Sequence, residues 1–502
     1  MKSHSLVYVP TGLNSPETEV LMSTIQSLLD RNEEVTVLKC RGGKNYSCSK
    51  NIFSFRQICR ICKFKTNENL KKIKGNIQVI ETPKIVNDYN LNRNFTLKKI
   101  KNYYYRGIDN GLATYASYLT NTRDKDLEGY FANAILSHNL NTTNTITDFL
   151  EIFLRKNKFS NIYSFNSRMN IYRPLLRICE KYKLKFNNLE ASFDDPKLRI
   201  QNLGDSIVTD VDKMPKLIKS YWNKKSKLNR KKIINKYYSE SRDWRKALEK
   251  PTSFLAKQKK GLMPNNWNLK KYNMVYFVSS EDEYETIEKK NFKAIFKNQL
   301  ECVKEICKII NNKTNFHLWI RMHPNLGKVK WDYSRNFNIK NFSYKNVDII
   351  EPFSPVSTYA VLEKCDLVIG LRSRTLIEAN FAKKPTLVIG KNYWVSLGPF
   401  YEVKSKSHLK KLILSKKLSV LDNIASKKYA YFWGSYGYHS NYISGKFHWK
   451  EDRRTVKIDF KFKDTKVSIN TFQKLLYFFF KALDKTILIL NFKLSKLFLK
   501  FK

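Results

Sequence analysis

The stretch from Thr358 to Gly390 constrains the fold more than any other part of the chain. It reads TYAVLEK, CDLVIGLRSRT, LIEANFAKK and PTLVIG in succession. DLVIG (Asp366 to Gly370) and TLVIG (Thr386 to Gly390) are unbroken apolar runs, as parallel strands covered on both faces require. One helix length separates them, which predicts a βαβ unit. The turn after the first strand carries Arg372, Ser373, Arg374 and Thr375 and opens the next helix. Free backbone N–H groups, two hydroxyls and two guanidiniums suit a phosphate there. Glu378, one turn on, is placed to reach a ribose diol; the same pattern also fits a plain α/β repeat in which Glu378 caps or solvates its helix.

The N-terminal half repeats the theme. SLVYVP (Ser5 to Pro10) reads as a strand, followed by a loop holding Asn14, Glu17 and Glu19, a helix from about Val20 to Leu29 and a strand from Glu34 to Leu38. Such a loop leaves the carboxyl edge of the sheet, where open α/β folds bind ligands. Glu17 and Glu19 are either helix-start carboxylates favoured by the dipole or a catalytic base. YYYRGIDNG brings Tyr103, Tyr104, Tyr105, Arg106 and Asp109 together, either as a sugar or phosphate surface or as a helix start packed on the core. NIYSFNSR is a second strand and turn, with Asn166 and Arg168; Arg173 follows it, and KFNNLEAS ends near Glu190.

Residues 216–270 are strongly charged with a helical pattern and predict a connector between residues 1–215 and 271–425. YNMVYFVSS opens the second unit, and a long amphipathic helix is expected from about Lys289 to Ile310. FHLWIRMHPN then predicts a strand that delivers Arg321 and His323 to its end, where a site residue is expected. Residues 426–502 hold an aromatic segment and then a tail. From Thr471 on, Lys474, Lys481, Lys485, Lys493, Lys496 and Lys500 fall on one helical stripe among Phe, Leu and Ile. That pattern fits either an amphipathic helix on an anionic membrane or a terminal helix packed on the protein.

With 502 residues, two or three domains are expected. Lys and Arg number 93 against 44 Asp and Glu, for a net charge of +49. Such an excess suits nucleic acid or an acidic membrane, but the lysines are scattered among Asn and Ile, and no nucleic-acid signature accompanies them. Nucleic acid is therefore not expected as a partner. The start MKSHSLVYVP is too short in apolar residues for a secretory signal, and no run of 18 apolar residues occurs, so a cytoplasmic chain without a spanning helix is expected. In that compartment disulfides are not expected. Cys40, Cys48, Cys59 and Cys62 fall close together, and a Cys-x-x-Cys with two cysteines before it can supply four thiolates to a structural zinc. The alternative is four reduced, partly buried thiols.

Several of these motifs resemble one family. RMHPN, IIEPFSPVSTYAVLEKCDLVIG and SRTLIEANFAKKPTLVIG resemble the C-terminal domain of capsule and surface-polysaccharide biosynthesis proteins. FVSSEDEY with Gln299 beyond it is similar to the same family, as are VYVPTGLNSPETEV, the cysteines ending in CRIC, YRGIDNG and FNSRMNIYRPLLRICE. The resemblance covers most of residues 5–400 and implies a GT-B-like α/β fold, two Rossmann-like domains facing across a cleft, here with a C-terminal helical tail. It implies transfer of a sugar from a nucleotide donor to a polysaccharide or lipid-linked glycan at the cytoplasmic face of the membrane. The N-terminal domain would take the acceptor, and the C-terminal domain the donor. Arg321, His323, Ser373, Thr375 and Glu378 inherit the donor role, while Arg372 and Arg374 depart from the family's Gly-Ser-Thr-type turn. Arg suits phosphate bidentately, so the guanidiniums are expected to replace backbone contacts.

Glu17, Glu19, Asp109 and His138 are the candidates for the base that deprotonates the acceptor. Asn14, Arg106, Asn166, Arg168 and Glu190 are the expected acceptor-side residues. No Asp-x-Asp pair ends a C-terminal strand, so metal-independent transfer is expected, with no cofactor required for catalysis. An epimerase or polyol-phosphate transferase on the same fold, or a catalytically silent glycan-binding subunit, are the competing readings.

Overall fold

The computed structural model describes residues 2–13, 16–43, 45–85, 94–192, 198–224, 228–242, 258–280, 285–287, 295–324, 326, 344–444, 447–450, 453–456, 459–460, 475–483, 485–487 and 489–490. Asn14, residues 288–294 of the expected long helix, and the tail beyond 490 lie outside them.

The first unit is a largely parallel sheet. Strands β1 (His4–Val9), β2 (Glu34–Lys39), β3 (Gln78–Glu81), β4 (Asn161–Phe165) and β5 (Phe186–Ser192) run parallel, and β6 (Arg199–Asn202) closes back antiparallel on β5. Their order across the sheet is β3-β2-β1-β4-β5-β6. Helices α1 (Glu17–Asp30), α2 (Arg56–Lys71), α3 (Leu97–Lys101), α4 (Asn110–Thr122), α5 (Ala132–Lys156) and α6 (Arg173–Lys181) supply the crossovers and covering layers. The central strands are buried on both faces, with Leu6 and Tyr8 in one core and Val7 and Val9 in the other. That two-sided burial is why their sequences run apolar without alternation.

The second unit is wholly parallel. Helices α7 (Lys213–Lys224) and α8 (Arg230–Arg242) lead into β7 (Tyr272–Phe277), α9 (Gln299–Ile310), β8 (Phe316–Arg321), β9 (Val347–Ile350), α10 (Thr358–Lys364), β10 (Leu367–Gly370), α11 (Thr375–Phe381), β11 (Thr386–Ile389), β12 (Tyr401–Val403) and α12 (Lys406–Ser415). The strand order is β9-β8-β7-β10-β11-β12, the doubly wound order of a dinucleotide-binding fold. Strand order reverses between β7 and β10 here, and between β1 and β4 in the first sheet; these switch points are where open α/β sheets bind ligands.

Helix α9 begins later than the expected Lys289. Residues 295–298 precede it, and the Asn298 side chain accepts the Glu301 N–H at 2.9 Å, which fixes the start at Gln299.

The charged segment that reads as a connector contributes to a core. Met214 and Ile218 of α7 and Ile234, Tyr237 and Tyr238 of α8 pack with Val275, Phe277, Trp319 and Val368 of the second sheet. Helix α13 (Ile424–Ser435) joins the same core through Ala430 and Phe432. The chain then returns to the first unit as β13 (Tyr438–His439), antiparallel to β6 with Tyr438 opposite Ile200. The aromatic density of this segment follows from that path, since Phe432 stacks on Tyr436 at 4.3 Å while Tyr221 of α7 packs edge-on against both.

Candidate functional site

Strands β8 and β10 end on either side of β7, around the switch point of the second sheet. Strands β8 and β10 flank β7, so their exit loops stand two strand spacings, about 10 Å, apart. Arg321 ends β8 and is only 3% exposed. Its Nε donates to Thr358 Oγ1 at 3.2 Å and its Nη1 to the Glu351 carbonyl at 2.7 Å, while Nη2, also buried, hydrogen-bonds to none of the described residues. Burial draws the Arg321 pKa down to about 10, which leaves it charged at neutral pH. Burial, and then the Arg321 charge, lower His323 to about 4, so it is neutral and can both donate and accept.

The turn after β10 divides its residues. Arg372 and Ser373 are buried. The Ser373 hydroxyl accepts the Thr375 N–H at 3.3 Å and donates to Thr375 Oγ1 at 3.2 Å, so it serves the start of α11. Arg374 lies over the Tyr237 ring at 5.4 Å, and its Nε is 3.4 Å from Glu378 Oε1. The structure thus gives Glu378 the guanidinium of the residue just before its helix and the neighbourhood of α8.

The first sheet assembles a second cluster at its own switch point. Glu17, which opens α1, is 1% exposed and accepts the Tyr172 hydroxyl at 2.8 Å. Glu190 on β5 accepts from Asn166 Nδ2 at 2.9 Å. Burial pushes the Glu190 carboxyl up to about 8; Asn166 and Arg168 oppose the shift, and the Glu17 charge adds to it. Asn166 and Ser167 both have positive φ, 62° and 50°, directly after β4. Two consecutive left-handed residues other than glycine are costly, and such strain gathers at functional turns. Ser167 Oγ donates to Asn188 Oδ1 at 2.9 Å and helps hold the turn.

Arg173, expected only as part of the second strand-turn-helix, joins the two units. Arg173 is fully buried. It grips Asp109 through Nε, 3.0 Å from each carboxylate oxygen, and through Nη2, 2.5 Å from Oδ2. Its Nη1 donates to the Thr286 carbonyl at 2.8 Å and its Nη2 to the Ile287 carbonyl at 2.7 Å, both in the loop that follows β7. Arg177 adds a second guanidinium to Asp109 at 3.1 Å. Burial opposes the charged carboxylate, but Arg173 and then Arg177 outweigh it and hold Asp109 well below the usual range. That makes Asp109 a poor proton acceptor and a structural anchor instead. On the same loop, Glu285 pairs with Lys101, has Lys125 at 3.9 Å and lies in the field of Arg372. The signal available in sequence was the acidic run before Ile287 opposite an Arg-Pro helix start.

The remaining expected residues lie apart from these clusters. His138 is exposed on α5. Arg106 is exposed, with φ 50°, and pairs with Asp148 and, at 3.7 Å, with Glu151. Glu19 sits on α1 within the field of Lys65 and Lys72 of the α2 segment. Cys40, Cys48, Cys59 and Cys62 line one pocket. Among the described residues, however, no three His, Cys, Asp or Glu side chains are grouped so as to hold one metal ion, an arrangement that does not fit the tetrahedral zinc cage the spacing suggests.

No protein-family model matches the chain, and no curated protein matches it in sequence. Solved structures similar to it include the β-Kdo 2,4 transferase of Thermosulfurimonas dismutans KpsC, at 10% identity over 58% of this chain and 81% of that one, with a TM-score of 0.37. The β-Kdo 2,7 transferase of the same KpsC aligns at 16% identity over 57% and 79%, with a TM-score of 0.32. The UDP-GlcNAc 2-epimerase of Methanocaldococcus jannaschii, in complex with UDP-GlcNAc and UDP, aligns at 13% identity over 85% and 98%, with a TM-score of 0.29. At these levels the likenesses carry no residue correspondences.

Proposed function

We propose that the chain is a GT-B-type glycosyltransferase, moving a sugar from a nucleotide donor to a surface polysaccharide or lipid-linked glycan. The observation that carries this reading is Arg321: a buried guanidinium at the carboxyl edge of a doubly wound sheet, with Nη2 bonded to none of the described residues. A buried donor left without an acceptor is costly, and a diphosphate oxygen would satisfy it. His323 beside it and Arg372 at the switch point complete a donor site in this reading, and the cations stabilise charge building on the leaving diphosphate. On the other unit, burial pushes the Glu190 carboxyl up to about 8, which suits proton transfer with an acceptor hydroxyl.

The site of action in this proposal is an acidic membrane surface. The helical residues 475–483 rest on the first unit through Phe480, 5.5 Å from the Phe55 ring, and through Lys481, which donates to the Lys50 carbonyl at 2.7 Å. Leu475, Phe478 and Phe479 are 63%, 54% and 61% exposed at helical spacing. Lys474, Lys481, Lys485, Lys493, Lys496, Lys500 and Lys502 stand against Asp484 alone in the tail. An exposed apolar face among lysines suits an anionic bilayer. No described helix is long and apolar enough to cross one.

The test is product analysis with radiolabelled nucleotide sugars, with and without a glycolipid extract. Label transferred to the extract supports the reading. A donor epimerised in the absence of acceptor would replace transfer with the epimerase reading.

A further inference from the structure

Lys101 and Lys125 have no role in the transfer as described so far, yet both are built into the place where the two units meet. Lys101 closes α3, where the helix dipole favours a cation. Lys125 follows α4. One buried residue of α4, Tyr115, organises both. Lys101 Nζ lies over its ring at 5.3 Å, and its hydroxyl donates to the Lys125 carbonyl at 2.7 Å. Tyr115 itself is fixed in a core with Ile100, Tyr118 and Leu119. The two lysine side chains are 23% and 17% exposed, so neither is an ordinary solvated surface lysine.

Opposite them, on the second unit, is Glu285. It lies in the loop after β7, and Arg173 holds the next two residues through the Thr286 and Ile287 carbonyls. Lys101 pairs with Glu285, and Lys125 Nζ is 3.9 Å from its Oε1. Strand β7 is paired with β10, so this loop and the turn carrying Arg372 leave neighbouring strands at the switch point. Burial opposes a charged Glu285, but Lys101, Lys125 and Arg372 outweigh it and hold the carboxyl below its ordinary range. The carboxylate thus has cations of both units around it, Lys101 and Lys125 from the first and Arg372 from the second.

Three cations about one carboxylate leave an excess of positive charge beside the proposed donor site. A diphosphate carries more negative charge than a carboxylate and accepts more hydrogen bonds, so it competes for the same lysines. We infer that Lys101 is a donor-binding residue supplied by the first unit, and that a diphosphate at Arg372 takes it over from Glu285. Lys125 adds its charge from slightly farther out. The inference rests on the donor site proposed above, and it makes that site a joint property of both units.

Two substitutions separate this from a plain ion pair between the units. If Lys101 serves Glu285 alone, Lys101→Met and Glu285→Gln break the same pair and act alike on ligand binding. If Lys101 binds the donor, they act in opposite directions. The experiment is calorimetric titration of the full chain and both variants with nucleotide sugars, and with inorganic pyrophosphate as a probe of the diphosphate alone. Lys101→Met should weaken binding roughly tenfold. Glu285→Gln should tighten it about threefold or more, because a repelling and competing carboxylate is gone. Should Lys101→Met fail to fold, Lys125→Met is titrated instead; weaker binding is expected, and an affinity equal to the parent's overturns the inference. A ligand that binds the parent and both variants equally, or whose affinity shifts the same way in both, overturns the inference and leaves the donor reading standing. A parent that binds neither pyrophosphate nor any nucleotide sugar overturns both.

Discussion

Arg173 and Asp109 form a buried ion pair that also clasps the two units together, because the guanidinium nitrogens not committed to Asp109 alone end on the carbonyls of Thr286 and Ile287. The pair is satisfied on every side, which is the condition under which a buried charge is tolerated. Arg173→Ala should destabilise the protein by about 3–5 kcal/mol, since it strands a buried carboxylate and two carbonyls. Arg173→Lys should recover little, because a single ammonium cannot span both sets of acceptors. Urea denaturation of the three proteins measures this; an Ala variant within about 0.5 kcal/mol of the parent would contradict it.

Glu190 gives stability a pH dependence of defined sign. Its folded pKa lies above the unfolded carboxylate value, so the folded state binds the extra proton. The protein should therefore lose stability relative to Glu190→Gln as pH rises from about 4.5 to about 8, by up to about 1.4 kcal/mol per pH unit, and the gap should level off above that. Melting temperatures of the two proteins across this window check the sign. A parent that gains stability relative to Glu190→Gln as pH rises, or keeps a constant difference, would remove the buried, proton-binding carboxyl from the account.

Gln299 locks the exit of β7. Its Oε1 accepts from Ser279 N–H at 2.8 Å and Ser279 Oγ at 3.0 Å, and its Nε2 donates to the Ser279 carbonyl at 2.9 Å. Gln299→Leu leaves those buried groups unpaired and should cost about 2–4 kcal/mol. Chemical denaturation reads the effect, and a neutral result would mean that the loop repairs itself with water.

Truncation at Ser468 should release the protein from vesicles containing acidic lipid, and raised salt should weaken the binding of the whole chain. Sedimentation with vesicles measures both. If the truncated chain sediments as fully as the parent, the exposed Leu475–Phe479 face is not the anchor.

Much of the fold was legible because two-sided burial writes itself as apolar runs: Leu367–Gly370 and Thr386–Ile389 are fully buried strands, read as such from composition alone. The turn at Arg372 was legible for the same reason, lying between them. What sequence hides is partnership at a distance. Arg173 meets Asp109 across 64 residues and Thr286 across 113, and no local pattern records either. The charged surface of α7 and α8 concealed the apolar stripe, Met214, Ile218, Ile234 and Tyr238, that buries them in the second core. Glu378 lies on the expected helix, but Arg374 one turn before it takes the carboxylate. In the tail the lysine stripe was visible, whereas the outward turn of Phe478 and Phe479 depends on Phe480 finding Phe55.

The central claim is that a nucleotide diphosphate sits against Arg321. Calorimetric titration of the parent and Arg321→Met with a panel of nucleotide sugars tests it most directly. The account predicts that at least one donor binds the parent, and that Arg321→Met, where it is still folded, weakens it by roughly ten- to a hundred-fold, the loss of a charge-assisted hydrogen bond of about 1.5–3 kcal/mol. A donor that binds both proteins equally, or a parent that binds none of the panel, would contradict it.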